Sequence, residues 1–376
     1  MSSPEHGGDT KSTTFSIEGR SAELRAAGSD GAGDTAPTVR DGVASDRRVA
    51  PDPDLAALLV HATQLAAGRY HKLGELARGG SGRIVTARDL VFDRLVAIKE
   101  PLDPGRDGAR LRAEADILAC LQHPSIVPVL DTGVWSDGTP FFAMKLVDGR
   151  SLKHAILGAR GLARRLSLIP HLVAVADAIA YAHAQNVIHR DLKPGNVLIG
   201  PFGETVVIDW GLAGWVREAP PDAGDRGLRP RRAPVEPTPG AVLGTPAYMA
   251  PEQARGERVD ERTDVYALGA ILYHLLTGDA PFRGATASDI IAAVGAGGPS
   301  PVDELQPRAP ADLVAIATKA MAVEPSARYP TATELAEDLR RFQTGRLVAA
   351  RRYSPIARLR RWLRTHRGSV LGAVRA

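Results

Sequence analysis

His189-Arg190-Asp191 runs on into Leu192-Lys193-Pro194-Gly195-Asn196, and past the apolar stretch Val206-Val207-Ile208 a second acid follows at Asp209, leading into Trp210-Gly211. A carboxylate, a lysine, an amide and a second carboxylate in this order are the parts that phosphoryl transfer from a nucleotide to a hydroxyl needs. On its own, a His-Arg-Asp triplet is most often a charged loop between two core strands. An ordered series of further motifs along the chain argues against that reading.

The first of them is Leu76-Ala77-Arg78-Gly79-Gly80-Ser81-Gly82-Arg83-Ile84. Its glycines let a hairpin lie flat on phosphates, where backbone N–H groups reach oxygens with no Cβ in the way. A glycine-rich hairpin alone is usually just a turn. Val96-Ala97-Ile98-Lys99 raises its meaning, because a lysine ending an apolar strand carries charge into a half-buried site, which is costly unless paired. Glu114, in the next helical segment, is the obvious partner and leaves Lys99 free to bridge to the nucleotide's phosphates. The competing reading, a lysine snorkelling to the surface, is the weaker one in this company.

Around these motifs the periodicity divides the chain. Residues 1–53 are rich in Ser, Gly, Asp and Thr, with few aromatics, and are expected to be disordered; they contain no apolar run suited to a signal peptide. A short helix over 54–69 follows, with Leu55, Leu58, Leu59 and Leu65 on one stripe; packing on the domain and presenting a docking face both fit it. From Tyr70 short strands dominate: around Val85, Leu95–Ile98, Val127–Val129 and Phe141–Met144, with a helix from about Asp107 to Leu121. After Asp148-Gly149 the period becomes helical, over Leu168 to His183, Ala267 to Leu275, Asp312 to Val323 and Glu334 to Phe342. The fold class expected is α+β with two lobes: a β-rich lobe over 70–147, an α-helical lobe over 148–343, and a basic tail over 344–376. The Pro- and Arg-rich stretch from about Arg217 to Ala241 has almost no apolar pattern and reads as a mobile loop.

Composition excludes several classes. Net charge is only +4, and the arginine patches at 226–232 and in the tail lack interleaved aromatics, so nucleic-acid binding is not expected. No segment reads as the ~20 consecutive apolar residues a bilayer span needs. The single cysteine, Cys120, rules out an internal disulfide, fits a reducing cytoplasm, and reads as a buried structural thiol rather than a nucleophile.

With these motifs in place, Tyr70 to Phe342 resembles the eukaryotic-like serine/threonine protein kinases of bacteria. The matching series is the glycine loop, Val-Ala-Ile-Lys99, Glu114, His189-Arg190-Asp191, Asp209-Trp210-Gly211, Gly244-Thr245-Pro246, Ala250-Pro251-Glu252, Asp264 and Arg328. The resemblance implies a two-lobe kinase fold, ATP and Mg²⁺ as cofactors, and protein substrates with Ser or Thr acceptors. It implies that Asp191 orients the acceptor hydroxyl and takes its proton, that Lys193 steadies the γ-phosphate and marks Ser/Thr specificity, and that Asn196 and Asp209 hold Mg²⁺. Residues 76–84 and Lys99 would contact the nucleotide, with Met144 as gatekeeper and Lys145 to Val147 as the hinge to adenine. Thr245 would contact Asp191 and help form the acceptor platform, Glu252 and Arg328 would pair, and Asp264 would brace the catalytic loop. Two departures stand out: Ala77 replaces the usual first glycine, and Trp210 the usual Phe. Neither removes a catalytic group.

Arg190 marks a type often switched by an activation-loop phosphate, which adds about −1.5 to −2 charges and pairs with arginine. Thr238 is the first candidate acceptor and Thr245 a weaker one. The tail carries Arg351, Arg352, Arg358, Arg360, Arg361, Trp362 and Arg364; peripheral contact with anionic membrane and a solvated tail fit it equally. Homodimerisation is left open. The runners-up are a non-catalytic pseudokinase scaffold, disfavoured by the presence of Lys99, Asp191 and Asp209, and a small-molecule phosphotransferase, disfavoured by the Gly-Thr-Pro to Ala-Pro-Glu platform.

Overall fold

The computed structural model describes residues 68–79, 82–216 and 244–354. The expected N-terminal disorder, most of the 54–69 helix, the 217–241 loop, Gly80, Ser81, Thr238 and the tail past Ser354 lie outside the described residues. The first lobe is a five-stranded antiparallel sheet in the order β1-β2-β3-β5-β4, built from β1 (Tyr70–Arg78), β2 (Gly82–Asp89), β3 (Arg94–Pro101), β4 (Val129–Val134) and β5 (Pro140–Lys145). Strand β4 begins where the apolar run was expected to end. Its inward side chains are interrupted by Asp131 and Thr132, which blur the alternation.

One helix, α1 (Pro104–Cys120), covers the sheet. It starts before the expected Asp107 because Asp103 caps it, accepting from the Gly105 and Arg106 N–H groups, and Pro104 is preset for the first turn. Leu111, Ile117 and Leu118 face inward, as the spacing predicts. Cys120 is only half-buried, at the helix end. Burial, with help from Asp116, pushes its thiol up and away from a reactive thiolate.

The second lobe is helical. Its centre is α4 (Ile169–Ala184) against α6 (Glu261–Thr277), flanked by α9 (Ala311–Ala320) and α10 (Ala332–Gln343). Short helices complete it: α2 (Leu152–Gly158), α3 (Leu162–Leu166), α5 (Pro251–Ala254), α7 (Ala287–Ala296) and α8 (Val302–Leu305). Helices α4 and α6 bury nearly all their apolar side chains, including Leu172, Val175, Ile179, Leu268, Ile271 and Leu275 at 0% exposure. The helical run Leu162–Ala184 is long and apolar enough to cross a membrane, contrary to the sequence reading, but half of its most apolar window lies inside the domain. That placement is the one a core helix takes.

Two small ladders hold the catalytic segment on this helical base. β6 (Arg150–Ser151), β8 (Val197–Ile199) and β9 (Thr205–Val207) form one, and β7 (Val187–Ile188) pairs with β10 (Gly214–Trp215) in the other. His189 to Asn196 therefore spans β7 to β8, while Asp209 follows β9. Residues 344–351 stay on the domain: Val348 is buried, Ala349 and Ala350 donate their N–H groups to Asp338, and Arg351 pairs with Asp312 at 2.7 Å.

Candidate active site

Lys99 sits near the end of β3, opposite Ile84 of β2 and Phe142 of β5. Its ammonium donates to both Glu114 carboxylate oxygens, at 2.6 and 2.8 Å, and to Asp209 Oδ1 at 2.9 Å. Burial works against the Lys99 charge, but the two carboxylates outweigh it and hold the amine above its ordinary range. Asp209 is drawn the other way: although burial resists its charge, Lys99 holds the carboxyl below the usual carboxylate range. Three charged groups from β3, α1 and the segment after β9 thus close on one another.

They stand at the inner end of a pocket with apolar walls. Leu76, Ile84 and Ala97 from the strands, Leu198 and Ile208 from the second lobe, and Met144 to Val147 line it. Met144 is buried, and Lys145 to Val147 form the stretch between the lobes. Flat apolar faces on both sides with backbone along one edge suit a planar heterocycle. Leu198, Ile208, Ala97, Leu118 and Val127 were not assigned to a pocket from the sequence, since apolar residues in such runs read simply as core.

The glycine-rich segment forms the β1–β2 hairpin, in which Arg78 opposes Arg83 and the Gly79 N–H donates to the Gly82 carbonyl at 2.8 Å. A Cβ on Gly82 would stand 2.9 Å from the Glu100 carbonyl oxygen, so β2 approaches β3 too closely there for a side chain. Ala77 opposes Ile84 directly after a shift in register between Glu75 and Ala77. Arg78 pairs with Glu75 on the exposed face, and Arg83 with the buried Glu100.

The second cluster centres on Asp191. Its Oδ1 accepts from both the N–H and the hydroxyl of Thr245, each at 2.8 Å, and its Oδ2 from Lys193 at 2.7 Å. Lys193 also donates to Thr245 Oγ1 at 2.6 Å. Asn196 donates from Nδ2 to the Asp191 carbonyl at 2.9 Å, which leaves its own carbonyl oxygen as a ligand. Gly244 admits this arrangement: its φ is +127°, and a Cβ would stand 3.3 Å from the Arg190 carbonyl oxygen. Asn196 and the half-exposed Asp209 supply hard oxygen donors, a set that fits Mg²⁺.

The loop that carries Asp191 and the turn that carries Asp209 are both unusual in their backbone. Arg190 (φ 65°) and Asp209 (φ 63°) both adopt left-handed conformations that non-glycine residues rarely take. Asp264, near the start of α6 and fully buried, accepts from the His189 N–H at 2.8 Å and the Arg190 N–H at 3.0 Å, so it holds the loop in that shape. His183 shares Asp264 Oδ2 at 2.9 Å, and Gln253 donates to the Arg190 carbonyl at 2.8 Å. The helical stripe placed His183 among the inward residues without assigning it a polar partner, and Gln253 gave no signal of its own. Arg190 itself lies over Gly214 of β10, where a Cβ would meet its guanidinium. Trp210 fills a fully buried slot against His189, with ring centroids 4.7 Å apart, and its N–H points to the Val207 carbonyl at 3.5 Å.

Glu252 and Arg328 meet behind Thr245 and the loop, in a two-pronged pair at 2.7 Å on both arms. Burial resists the Glu252 charge, and Arg328 outweighs it, holding the carboxyl below its ordinary range. Thr263 adds a hydrogen bond to Glu252 at 2.9 Å.

Residues 70–338 match the protein kinase domain family. Over 283 residues the chain is 37% identical to the serine/threonine-protein kinase PknB of Mycobacterium tuberculosis, covering 73% of this chain and 43% of that protein. It is 34% identical to a probable serine/threonine-protein kinase PknB of Bifidobacterium longum (79% and 43% covered) and 34% identical to a probable serine/threonine-protein kinase of Streptomyces coelicolor (75% and 41%). The chain thus spans less than half the length of these curated relatives.

Proposed function

We propose that this chain, which belongs to the protein kinase domain family, transfers the γ-phosphate of ATP to Ser or Thr hydroxyls of proteins in bacterial signalling. The observation that carries this reading is the closure of Lys99 on Glu114 and Asp209 at the inner end of an apolar pocket. Adenine would lie between Ile84, Ala97, Leu198 and Ile208, with its edge on the Lys145–Val147 backbone. Lys99, steered by Glu114, would reach the phosphates. Mg²⁺ held by Asn196 and Asp209 would supply neutralisation of the phosphate charge.

Asp191 would receive the acceptor hydroxyl and its proton. The three hydrogen bonds it accepts from Thr245 and Lys193 fix its oxygens in place, which suits a reaction that gains more from positioning than from base strength. By the family resemblance Lys193 marks Ser/Thr specificity, and its ammonium spans Asp191 and Thr245. Phosphate on Thr238 would be received by Arg190 and order the segment between Asp209 and Thr245. Ser/Thr proteins and ATP are the partners. On this reading the chain acts in the cytoplasm, and contact with anionic lipid would fall to Arg352 and the tail residues past Ser354, because Arg351 is paired with Asp312.

Labelled ATP with Mg²⁺ and a panel of acceptor peptides tests this reading. Label in phosphoserine or phosphothreonine supports it; label in phosphotyrosine alone, or in a small molecule but no peptide, contradicts it.

A further inference from the structure

Arg110 and Glu114 stand one helical turn apart on α1, so their side chains leave the same side of the helix. Glu114 turns to Lys99. Arg110, half-buried, donates from Nε to the carbonyl oxygen of Gly211 at 2.9 Å. Gly211 closes the turn that begins with the left-handed Asp209. A Cβ on Gly211 would stand 3.1 Å from Glu114 Oε2 and 3.5 Å from Asp209 Oδ1. The turn is therefore pressed against the face of α1 that bears both residues.

Two ties hold it there. One runs through the Lys99 ammonium, shared between Glu114 and Asp209. On the kinase reading, on which this inference rests, Lys99 turns to the phosphates and Asp209 to the metal, so that tie is loosened when nucleotide is bound. The other, from Arg110 to the Gly211 carbonyl, uses no group that nucleotide or metal takes. Arg110 is well suited to it: a guanidinium stays charged at all working pH, and a charged donor strengthens a bond to a neutral carbonyl. Burial pushes the Glu114 carboxyl above its ordinary range, against the pull of Lys99 and, more weakly, of Arg110 one turn away.

We propose that Arg110 is a positioning residue, holding the Asp209 turn against α1 through the Gly211 carbonyl while nucleotide occupies the pocket. It touches neither substrate nor metal; it acts through the backbone that carries Asp209.

The test uses the full chain with Arg110→Ala, Arg110→Lys and, as control, Arg112→Ala on the exposed side of the same helix. Steady-state kinetics are paired with hydrogen exchange of the Trp210–Ala213 amides in the presence of a non-hydrolysable ATP analogue and Mg²⁺. Loss of one charge-assisted bond predicts a fall in kcat of about tenfold or more for Arg110→Ala, with the acceptor KM within about twofold. The Trp210–Ala213 amides should exchange faster in that variant. Arg110→Lys should recover part of both readouts, since an ammonium can donate to the same carbonyl, and Arg112→Ala should match wild type. Wild-type kcat and exchange in Arg110→Ala overturn the proposal, as does a loss that Arg112→Ala reproduces. A wild type that incorporates no phosphate contradicts the kinase reading separately, and the exchange arm still decides the role of Arg110.

Discussion

The Lys99 ammonium lies 2.9 Å from the Asp209 carboxylate, joining a strand of the first lobe to a turn on the second across 110 residues of chain. Glu114 completes the set from α1, and it is nearly inaccessible to solvent. Removing the lysine therefore does two things at once: it takes away the group proposed to meet the phosphates, and it strands a buried carboxylate.

Lys99→Met should abolish phosphoryl transfer and lower stability, since an unpaired buried charge costs about 3–5 kcal/mol. Adding Glu114→Gln to it should recover much of that stability without restoring activity. Urea unfolding of the two variants beside wild type reads the first effect, and labelled ATP the second. A double variant as unstable as Lys99→Met would show that the pair does not carry this energy.

Arg328→Ala should destabilise by a similar amount, about 3–5 kcal/mol, because Glu252 is left buried without its two-pronged partner. Arg328→Lys should recover only part, since one ammonium cannot reproduce both arms of the fork. The difference between wild type and Arg328→Ala should persist at neutral pH and narrow in acid. Glu252 has a depressed folded pKa, so its contribution is present above the ordinary carboxylate pKa and fades as pH falls through the folded one. Chemical denaturation across pH measures this; a gap that widens in acid would contradict it.

His274 on α6 gives a pH effect of different origin. Burial, reinforced by the charges of Arg165, Arg283 and Lys153, lowers its pKa to about 4. Tyr248, pushed up to about 12 by burial, keeps its hydroxyl proton and shares a hydrogen bond with His274 Nδ1 at 2.7 Å. An unfolded histidine takes a proton near pH 6.5, so between that value and the folded one the unfolded state binds more protons. Stability should fall as pH drops through this window, by on the order of 3 kcal/mol from this residue. His274→Gln should flatten the fall. Equal slopes for the two proteins would show that His274 is not the source.

Residues 345–354 should count toward the stability of the domain. Val348 is buried and Asp338 accepts the Ala349 and Ala350 N–H groups together with the Tyr329 hydroxyl. Ending the chain at Thr344 rather than Ser354 should cost about 1.5–3 kcal/mol through Val348 alone. Thermal unfolding of the two truncations compares them directly, and identical midpoints would argue against the clasp.

Much of this site was legible in the residues because charge in an apolar setting is hard to disguise. Lys99 at the end of Val96-Ala97-Ile98 asks for a partner, and Glu114 is the acid that the structure supplies. Asp264 and Glu252 were legible only through the resemblance, since an acid at a helix start has an ordinary capping reading. Gln253 and Arg110 gave no signal, because both act on backbone carbonyls, Arg190 and Gly211, whose positions depend on the left-handed turns at Arg190 and Asp209. The short helices α2 and α7 were missed for a local reason: α2 is a single capped turn or two, and α7 is half Ala and Gly, with only Ser288 and Asp289 polar. The run Leu162–Ala184 passes for a membrane span by length and composition, whereas the three-to-four spacing within α4 already reads as a helix with one buried face, which its packing against α6 bears out.

The most direct measurement is incorporation of label from ATP with Mg²⁺ into an acceptor protein by wild type and Asp191→Asn. Asparagine keeps the side-chain shape beside Thr245 and Lys193 but cannot take the hydroxyl proton. Robust incorporation by wild type, reduced by at least about 100-fold in the variant, is the result this account predicts. Equal incorporation by both proteins, or none by either, would contradict it.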